Sequence, residues 1–380
     1  MMKFLKYLLI SATVLSAALA CDPISQDPPQ FQEQQKSLLV YMVANNNLSS
    51  FASNNISSMM HGYLPTDDNL LVYVHSTIGN PLLLRLYKDE SGAAVQDTVY
   101  RFPPRNSADP KSLTSALKVC RTMYPADEYG LILWSHGSGW LPTGYYGKTR
   151  SFGQDGTAEM DIIELAKALP YKLNYLVFDA CLMGGIEVAY ELKDSVDYVI
   201  SSPTEIMSNG FPYDKIMEHV FKSSTNLESL AKEYFNHYNG MSGSSRSATV
   251  SVVKTSELEK VAQQAKDIFS QYGHNGNLGN TLVDTTSIQK YYRGAKHWFY
   301  DFAGLMEQLA GENAAPLKSA LENAVLYKAS TPNFLELPIR PHKFSGLSTY
   351  IPSPKADPEL LEYYTKLRWN RDTGYIQTEE

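Results

Sequence analysis

Two segments of this sequence hold the residue types that nucleophilic catalysis requires. His136 lies in the segment WSHGSGW, and Cys181 lies further along in the segment FDACLMGG. A thiol becomes a strong nucleophile when a neighbouring base takes its proton, and imidazole titrates in the range needed to take that proton and later return it to a leaving amine. The pair therefore predicts acyl-transfer chemistry, with Cys181 as the nucleophile and His136 as the base.

The elements before these segments predict that the two side chains meet. From residue 37 onward, apolar strands alternate with segments of helical periodicity, which is typical of an α/β domain with a largely parallel sheet. His136 follows the predicted strand 130–134, and Cys181 follows the predicted strand 173–178. Carboxyl ends of parallel strands meet at one edge of a sheet, so we expect both side chains there. The other predicted strands cover residues 38–43, 70–74, 198–201 and 249–253, and residues 81–88 and 98–102 predict an added antiparallel hairpin.

The predicted helices lie between these strands and would cover both faces of the sheet. Their apolar residues recur with helical spacing, and the longest run is 256–272. The others cover residues 48–60, 111–124, 160–169, 183–192, 213–221 and 227–238.

Glycines around both reactive residues would let a substrate backbone approach and would expose amide N–H groups. The N–H groups of Gly137 and Cys181 are our candidates for an oxyanion hole, in which one donor is typically worth roughly 3 kcal/mol. The remaining histidines show no metal-ligand spacing, and we interpret them as structural or surface residues.

The amino terminus predicts export. Residues 1–20 have a positive start, an apolar run and small residues up to Ala20, which is the pattern of a signal peptide. Cys21 stands where bacterial lipoprotein signals place the acylated cysteine, so we predict a lipoprotein of the bacterial cell envelope. Simple cleavage after Ala20 and secretion is the alternative. Residues 21–36 are rich in Pro and Gln and predict a flexible tether.

Residues 37–254 form the predicted catalytic core, and residues 255–380 form a smaller, mainly helical carboxy-terminal part that completes the catalytic domain. Within that part we predict helices at 300–309, 316–327 and 360–367 and a strand at 346–351. Besides Cys21 and Cys181 the chain has one further cysteine, Cys120, so no disulfide framework is predicted. The helical spacing around Cys120 indicates a buried, inert thiol.

The composition restricts the kinds of molecule that this protein could bind. The 380 residues carry a net charge of −7 and no dense Lys/Arg run, which argues against nucleic acid. We expect a monomer that contacts a membrane only through its lipid anchor, and the chemistry requires no cofactor. The acidic run Asp155, Glu159, Asp161 and Glu164 could bind calcium, but a solvated helix start is the default interpretation, because carboxylates favour that end of a helix.

The His136 and Cys181 segments together resemble the clostripain family of cysteine peptidases, which share a caspase-like fold with gingipains, legumains and separase. The resemblance extends through ISSPTE at 200–205 and GFPY at 210–213. In caspases the histidine precedes the cysteine by roughly 50 residues, which agrees with the spacing here. The resemblance implies a caspase-like α/β fold whose mostly parallel sheet carries helices on both faces.

The family's activity implies cleavage of peptide bonds after Arg or Lys, with acidic groups in the specificity pocket. Asp179 matches one acidic position of the family, but Asn209 stands where a second acid is common. Losing that carboxylate removes a charge-assisted hydrogen bond to a basic substrate side chain. The family's zymogens are cut in a loop after the histidine, which implies processing here at Lys148 or Arg150.

Other interpretations of the same residues remain open. Taken singly, His136 and Cys181 could be a structural histidine and a buried thiol. The chain could then be a catalytically silent lipoprotein that binds peptides with the same fold. A thiol hydrolase or transferase acting on a non-peptide acyl group is a third hypothesis.

Overall fold

A computed structural model describes residues 35–145, 151–273, 283–294, 297–353 and 356–377. The predicted signal peptide, Cys21, and both predicted processing residues, Lys148 and Arg150, lie outside these described residues. The first strand begins at Lys36, which is buried, so the structure places the last residue of the predicted tether in the sheet.

The described residues form fifteen strands, and nine of them belong to one sheet. In chain order they are β1 (Lys36–Ala44), β2 (Asn69–Ser76), β3 (Leu82–Lys88), β4 (Ala94–Arg101), β5 (Glu128–Trp134), β6 (Phe152–Asp155), β7 (Ala158–Met160), β8 (Leu173–Asp179), β9 (Val196–Ser201), β10 (Thr249–Lys254), β11 (Tyr300–Asp301), β12 (Val325–Ser330), β13 (Asn333–Phe334), β14 (Leu337–Pro338) and β15 (Ser348–Thr349).

The large sheet has the order β12-β10-β9-β8-β5-β1-β2-β3-β4. Its five central strands, from β9 to β2, pair in parallel, while β3, β4, β10 and β12 are antiparallel to their neighbours. The predicted mostly parallel sheet and its antiparallel hairpin, β3 and β4, are therefore confirmed. The chain adds β2 on one side of β1 and β5 on the other, which creates a topological switch point between β1 and β5.

Eleven α-helices lie in the described part of the chain; ten of them overlap the predicted helical segments, whereas the last, Arg368–Thr373, was not predicted. They are α1 (Ser49–His61), α2 (Pro110–Met123), α3 (Ile162–Ala168), α4 (Ile186–Glu191), α5 (Tyr213–Phe221), α6 (Leu227–Asn239), α7 (Leu258–Tyr272), α8 (Phe302–Ala310), α9 (Ala315–Ala324), α10 (Pro358–Lys366) and α11 (Arg368–Thr373).

The two faces of the sheet belong to two separate apolar cores. Strand β1 shows this division, because Leu39 and Tyr41 lie in one core while Leu38 and Val40 lie in the other. Alternate residues of a strand point to opposite faces, so a run buried on both faces reads as continuously apolar. Helices α1, α5 and α6 cover one face, and α2, α3, α4 and α7 cover the other.

Helix α2 shows how local sequence signals are realised. Asp109 caps it by accepting from the Lys111 N–H, and a proline occupies the first turn. Cys120 lies on the buried face of this helix, and burial raises the pKa of its thiol to about 12. The prediction of a buried, inert thiol is confirmed.

The carboxy-terminal part joins the large sheet through a strand that the sequence did not predict. The predicted helix 316–327 ends at Ala324, and β12 follows and pairs with β10. The helical periodicity continues into Val325, but pairing with the sheet edge overrides it. The predicted strand 346–351 is shorter than expected, because only Ser348–Thr349 pairs, with β11.

A buried carboxylate connects the carboxy-terminal part to the helix after the Cys181 loop. Oε1 of Glu187, in α4, accepts from the Thr349 hydroxyl at 2.8 Å, the Tyr350 N–H at 3.0 Å and the Tyr364 hydroxyl at 2.8 Å. Burial raises the pKa of Glu187 above its ordinary value of 4.5, while these three donors oppose the shift.

This shift predicts a stability that depends on pH. A raised pKa means that the folded protein binds the proton of Glu187 more tightly than the unfolded chain does. The protonated carboxyl group therefore adds to the free energy of unfolding below pH 4.5, and this contribution is lost as the pH rises through the folded-state pKa. We expect Glu187→Gln to flatten the fall of unfolding free energy above pH 4.5. Urea unfolding across pH 4.5–8 measures this slope, with the exposed Glu322→Gln as control, and an unchanged slope in Glu187→Gln contradicts the assignment.

Candidate active site

The register of two parallel strands brings the predicted catalytic residues to the same edge of the sheet. Trp134, the last residue of β5, pairs with Asp179, the last residue of β8. The Ser135 N–H continues this pairing by donating to the Asp179 carbonyl oxygen at 3.3 Å. His136 and Cys181 each lie two residues beyond this pair, so the two residues occupy equivalent positions at adjacent strand ends.

The loops that carry the two residues lie in direct contact because glycines face the Cys181 loop. A Cβ atom at Gly137 would lie 2.6 Å from the Cys181 carbonyl oxygen, and one at Gly139 would lie 2.7 Å from the Leu182 carbonyl oxygen. Gly139 also has φ +68°, a conformation that favours glycine. A side chain at either position would force the loops apart.

The loop after Cys181 is strained and firmly held. Leu182 has φ +65°, which is unfavourable for a residue with a branched side chain and is found where the surrounding structure enforces it. Its N–H donates to the Thr204 carbonyl at 2.8 Å, and the Gly184 N–H donates to the Ser202 carbonyl at 2.8 Å. These bonds fix the backbone immediately after the nucleophile.

Asn47 is a site residue that the sequence analysis missed. Its side-chain Oδ1 lies 2.8 Å from Nε2 of His136. With Oδ1 as acceptor, Nε2 carries the proton of the neutral imidazole and Nδ1 carries the lone pair that can act as a base. Asn47 follows β1, the neighbour of β5 at the switch point, and this position at the same sheet edge is the signal that could have found it.

The Cys181 thiol is half-buried and contacts the backbone of a third loop. The Ile206 N–H donates to Sγ at 3.4 Å, and the thiol reaches the Ile206 carbonyl at 3.7 Å. Burial raises the pKa of Cys181 to about 12; the Ile206 N–H opposes this shift, and the carboxylates of Glu205 and Asp179 add to it. Among the described residues, Sγ makes no hydrogen bond to His136.

The N–H groups predicted to form the oxyanion hole bond no other described residue, as that role requires. Across the described ranges, the N–H groups of Gly137 and Cys181 take part in no hydrogen bond. They belong to the two loops that touch, because a Cβ atom at Gly137 would lie 2.6 Å from the Cys181 carbonyl oxygen. Their role as an oxyanion hole stays a prediction.

Of the two predicted pocket residues, Asp179 is buried and Asn209 is exposed. Asp179 is buried, and its Oδ2 accepts from the Phe211 N–H at 3.1 Å and the Tyr213 hydroxyl at 2.8 Å. Burial raises the pKa of Asp179 to about 6, against these two donors. Asn209 is exposed and lines a cavity of about 200 Å³, and its carbonyl accepts from the Asn55 side chain at 2.9 Å.

A charge pair beside the thiol was also missed by the sequence analysis. Arg293 Nε lies 2.9 Å from Oε1 of Glu205, and its Nη1 lies 3.3 Å from Glu336. Glu205 directly precedes the residue that touches Sγ, and the positive charge of Arg293 lowers the pKa of Cys181. No sequence pattern links residues 205 and 293, because the two lie on segments that only the fold brings together.

The carboxylates of the acidic run that could bind calcium each have a different hydrogen-bond partner. Asp155 is buried in a network described below, Asp161 caps α3 by accepting from the Glu164 N–H at 2.8 Å, and Glu159 accepts from the Gly144 N–H at 3.2 Å. Within the described parts of the chain, no group of three or more His, Cys, Asp or Glu residues could hold a metal ion. Calcium binding stays an untested prediction.

A histidine and a cysteine at adjacent carboxyl ends of a parallel sheet, on loops in contact and with amide donors that bond no other described residue, are the arrangement expected of a thiol-dependent acyl-transfer centre. A sequence profile of the Clostripain family matches residues 40–331. The chain belongs to the clostripain family of cysteine peptidases, and its caspase-like fold is confirmed by the solved structures of that family.

Relatives of this chain include both active and inactive enzymes. Clostripain of Hathewaya histolytica is 30% identical over an alignment of 224 positions, and this alignment covers 50% of this chain and 43% of clostripain. The match thus spans less than half the length of that relative. An inactive zymogen C11 protease from Parabacteroides distasonis is 34% identical, with a TM-score of 0.79 over 91% of this chain and 99% of that one. A secreted C11 cysteine protease from Bacteroides thetaiotaomicron, solved with an irreversible peptide inhibitor, is 29% identical, with a TM-score of 0.78 over 90% and 99%.

The contact between the two loops generates a direct prediction. We expect Gly137→Ala to lower kcat by about a hundredfold, because the new methyl group would push the His136 loop away from the Cys181 carbonyl. Peptide hydrolysis measures the effect, and Gly240→Ala, at the end of α6, is the control with more room for a methyl group. Full activity of Gly137→Ala would show that the two loops need not touch.

Proposed function

We propose that this protein is a cysteine endopeptidase in which His136 activates Cys181. The observation that carries the proposal is the β5–β8 register, which places both residues at one sheet edge. The imidazole takes the thiol proton, and the thiolate attacks the peptide carbonyl carbon. The N–H groups of Gly137 and Cys181 stabilise the resulting oxyanion.

The remaining steps return the proton and release the products. The tetrahedral intermediate collapses, the carbon–nitrogen bond breaks, and the imidazolium of His136 gives its proton to the leaving amine. A water molecule, deprotonated by the same imidazole, then attacks the acyl-enzyme and frees the thiol. Asn47 keeps one tautomer of the imidazole through both steps, because its Oδ1 accepts from Nε2.

The thiol environment supports the proposal that the intact chain is a zymogen. A thiol with a pKa of about 12 is almost fully protonated at neutral pH, and its contact is with Ile206 rather than with the base. Activation must therefore bring His136 to the thiol or expose it. A cut in the loop after His136 is the processing event that the family resemblance implies.

Cleavage after Arg or Lys is the proposed specificity. Its support is the negative potential that the carboxylates of Glu205 and Asp179 contribute at the thiol, where both raise the pKa of Cys181 and Arg293 offsets part of their effect. Such a potential attracts a basic substrate side chain. Asn209 supplies no charge to this region, so we propose that the preference for basic residues is weaker than a second carboxylate would give.

The proposed setting is the bacterial cell envelope or its exterior. The export signal and Cys21 support a lipid-anchored monomer acting on proteins or peptides, with secretion as the alternative. Among the described residues, no helix has the length and apolar character needed to span a membrane. The alternative function, a catalytically silent peptide-binding protein, would keep the site but cleave nothing.

A peptide library distinguishes these functions. We expect the wild type to cleave after basic residues, Cys181→Ala to cleave nothing, and Asn209→Asp to favour Arg and Lys more strongly, by about tenfold for one added charge-assisted contact. Cleavage by Cys181→Ala refutes the mechanism. Absence of turnover by both intact and processed wild type favours the silent binding protein.

The structure also favours one of the two predicted processing residues. Ser151 and Phe152 are buried, and a cut after Arg150 would place a new ammonium group on buried Ser151. We therefore expect the cut after Lys148, which leaves Ser151 within the fragment. Lys148→Ala should stop processing while Arg150→Ala should not, as measured by amino-terminal sequencing of the fragments. A fragment that begins at Ser151 would contradict this expectation.

A further inference from the structure

Residues 151–156, which we call the post-loop segment, follow the predicted processing loop and pair with the His136 loop. The Gly153 N–H donates to the His136 carbonyl at 3.0 Å, and the Ser138 N–H donates to the Ser151 carbonyl at 3.1 Å. Gly137 and Phe152 form the antiparallel bridge between these two bonds. The backbone of the catalytic histidine therefore has one hydrogen bond directly to this segment.

The post-loop segment also holds the loop that carries Asn47. Nδ2 of Asn46 donates to the Gln154 carbonyl at 2.7 Å, and Nδ2 of Asn45 donates to Oδ1 of Asp155 at 2.7 Å. Asn47, next in the chain, then contacts the His136 ring. One segment thus contacts both the backbone of the histidine and the loop of its side-chain partner.

Asp155 fixes the far end of this segment. Its second oxygen, Oδ2, lies 2.8 Å from Nδ1 of His75 and accepts from the Ser107 N–H at 2.6 Å. Asp155 is 7% exposed and His75 is 8% exposed. Burial raises the pKa of Asp155, but the donors from His75, Ser107 and Asn45 outweigh it, so the pKa is lowered and the carboxylate stays ionised.

Ser107, His75 and Asp155 are not a second catalytic triad. Nδ1 of His75 contacts both the Ser107 hydroxyl, at 2.8 Å, and the Asp155 carboxylate, whereas a triad needs one ring nitrogen for each partner. Ser107 is also fully buried and can meet no substrate. The network therefore has a structural role, which is to fix the post-loop segment.

We propose that the post-loop segment is the element that positions His136 for catalysis, and that Asp155 is the positioning residue that fixes it. The inference rests on the proposed function, since it concerns the base of that reaction. A cut after Lys148 would leave His136 on the amino-terminal piece and Cys181 on the carboxy-terminal piece. The post-loop segment lies on the piece with Cys181, so it is also what keeps the histidine of the other piece in register.

The test compares Asp155→Asn with a chemically matched control in the processed enzyme. Asp301→Asn removes another buried carboxylate, which accepts from the Ser345 N–H at 2.7 Å and the Tyr291 hydroxyl at 2.6 Å and touches neither His136 nor Asn47. We expect Asp155→Asn to lower kcat by about a hundredfold with KM changed less than about threefold, because the base is displaced while the pocket is kept. Asp301→Asn should leave both kcat and KM unchanged.

Alkylation of Cys181 by iodoacetamide gives a readout that does not depend on peptide cleavage. We expect Asp155→Asn to slow alkylation in the wild-type background and to have no effect in a His136→Ala background, because the segment acts through that histidine. Equal slowing in both backgrounds overturns the proposal. So does a kcat of Asp155→Asn equal to that of Asp301→Asn.

A second variant tests the same proposal if Asp155→Asn fails to fold. If Asp155→Asn does not fold, Asn45→Ala removes the 2.7 Å bond to Oδ1 and leaves the His75 pair intact, and the same alkylation comparison applies. If the wild type cleaves no peptide, the proposed endopeptidase function fails. The alkylation rates then still decide whether the post-loop segment positions the histidine.

Discussion

The parallel pairing of β5 with β8 is the constraint on which the rest of the site depends. Its register sets Trp134 opposite Asp179 and so decides that His136 and Cys181 leave the sheet side by side. A slip of one residue would turn every side chain of a strand to the other face, and both faces of these strands are buried in different apolar cores. The cores therefore fix the register, and the register fixes the chemistry.

Buried carboxylates perform the next level of positioning. Asp179, Glu187 and Asp155 each accept several hydrogen bonds from groups distant in the chain, and each holds a loop near the catalytic pair. Asp179 holds the backbone after Gly210, Glu187 holds the carboxy-terminal part against α4, and Asp155 holds the post-loop segment. A buried carboxylate is costly without hydrogen-bond donors, and these donors come from distant segments, so the contacts favour one geometry; among the described residues Oε2 of Glu187 is buried and has no partner.

The position of Cys181 and the ionisation of its thiol are separate properties of the predicted site. Cys181 lies at the right sheet edge, yet its Sγ contacts Ile206, and burial keeps its pKa near 12. The similarity to an inactive zymogen and to an inhibitor-bound enzyme is in keeping with a fold that has both states.

The sequence by itself determined the positions of the central strands and of most helices, the burial of Cys120, and that His136 and Cys181 each follow a strand. These features depend on apolar periodicity and on capping residues, which act over a few neighbouring positions. Only the tertiary structure decided that β12 completes the sheet, that Asn47 meets His136, that Arg293 pairs with Glu205, and that Asp155 contacts His75. Each of these contacts joins segments far apart in the chain, and their energies depend on burial and geometry that exist only after the elements pack.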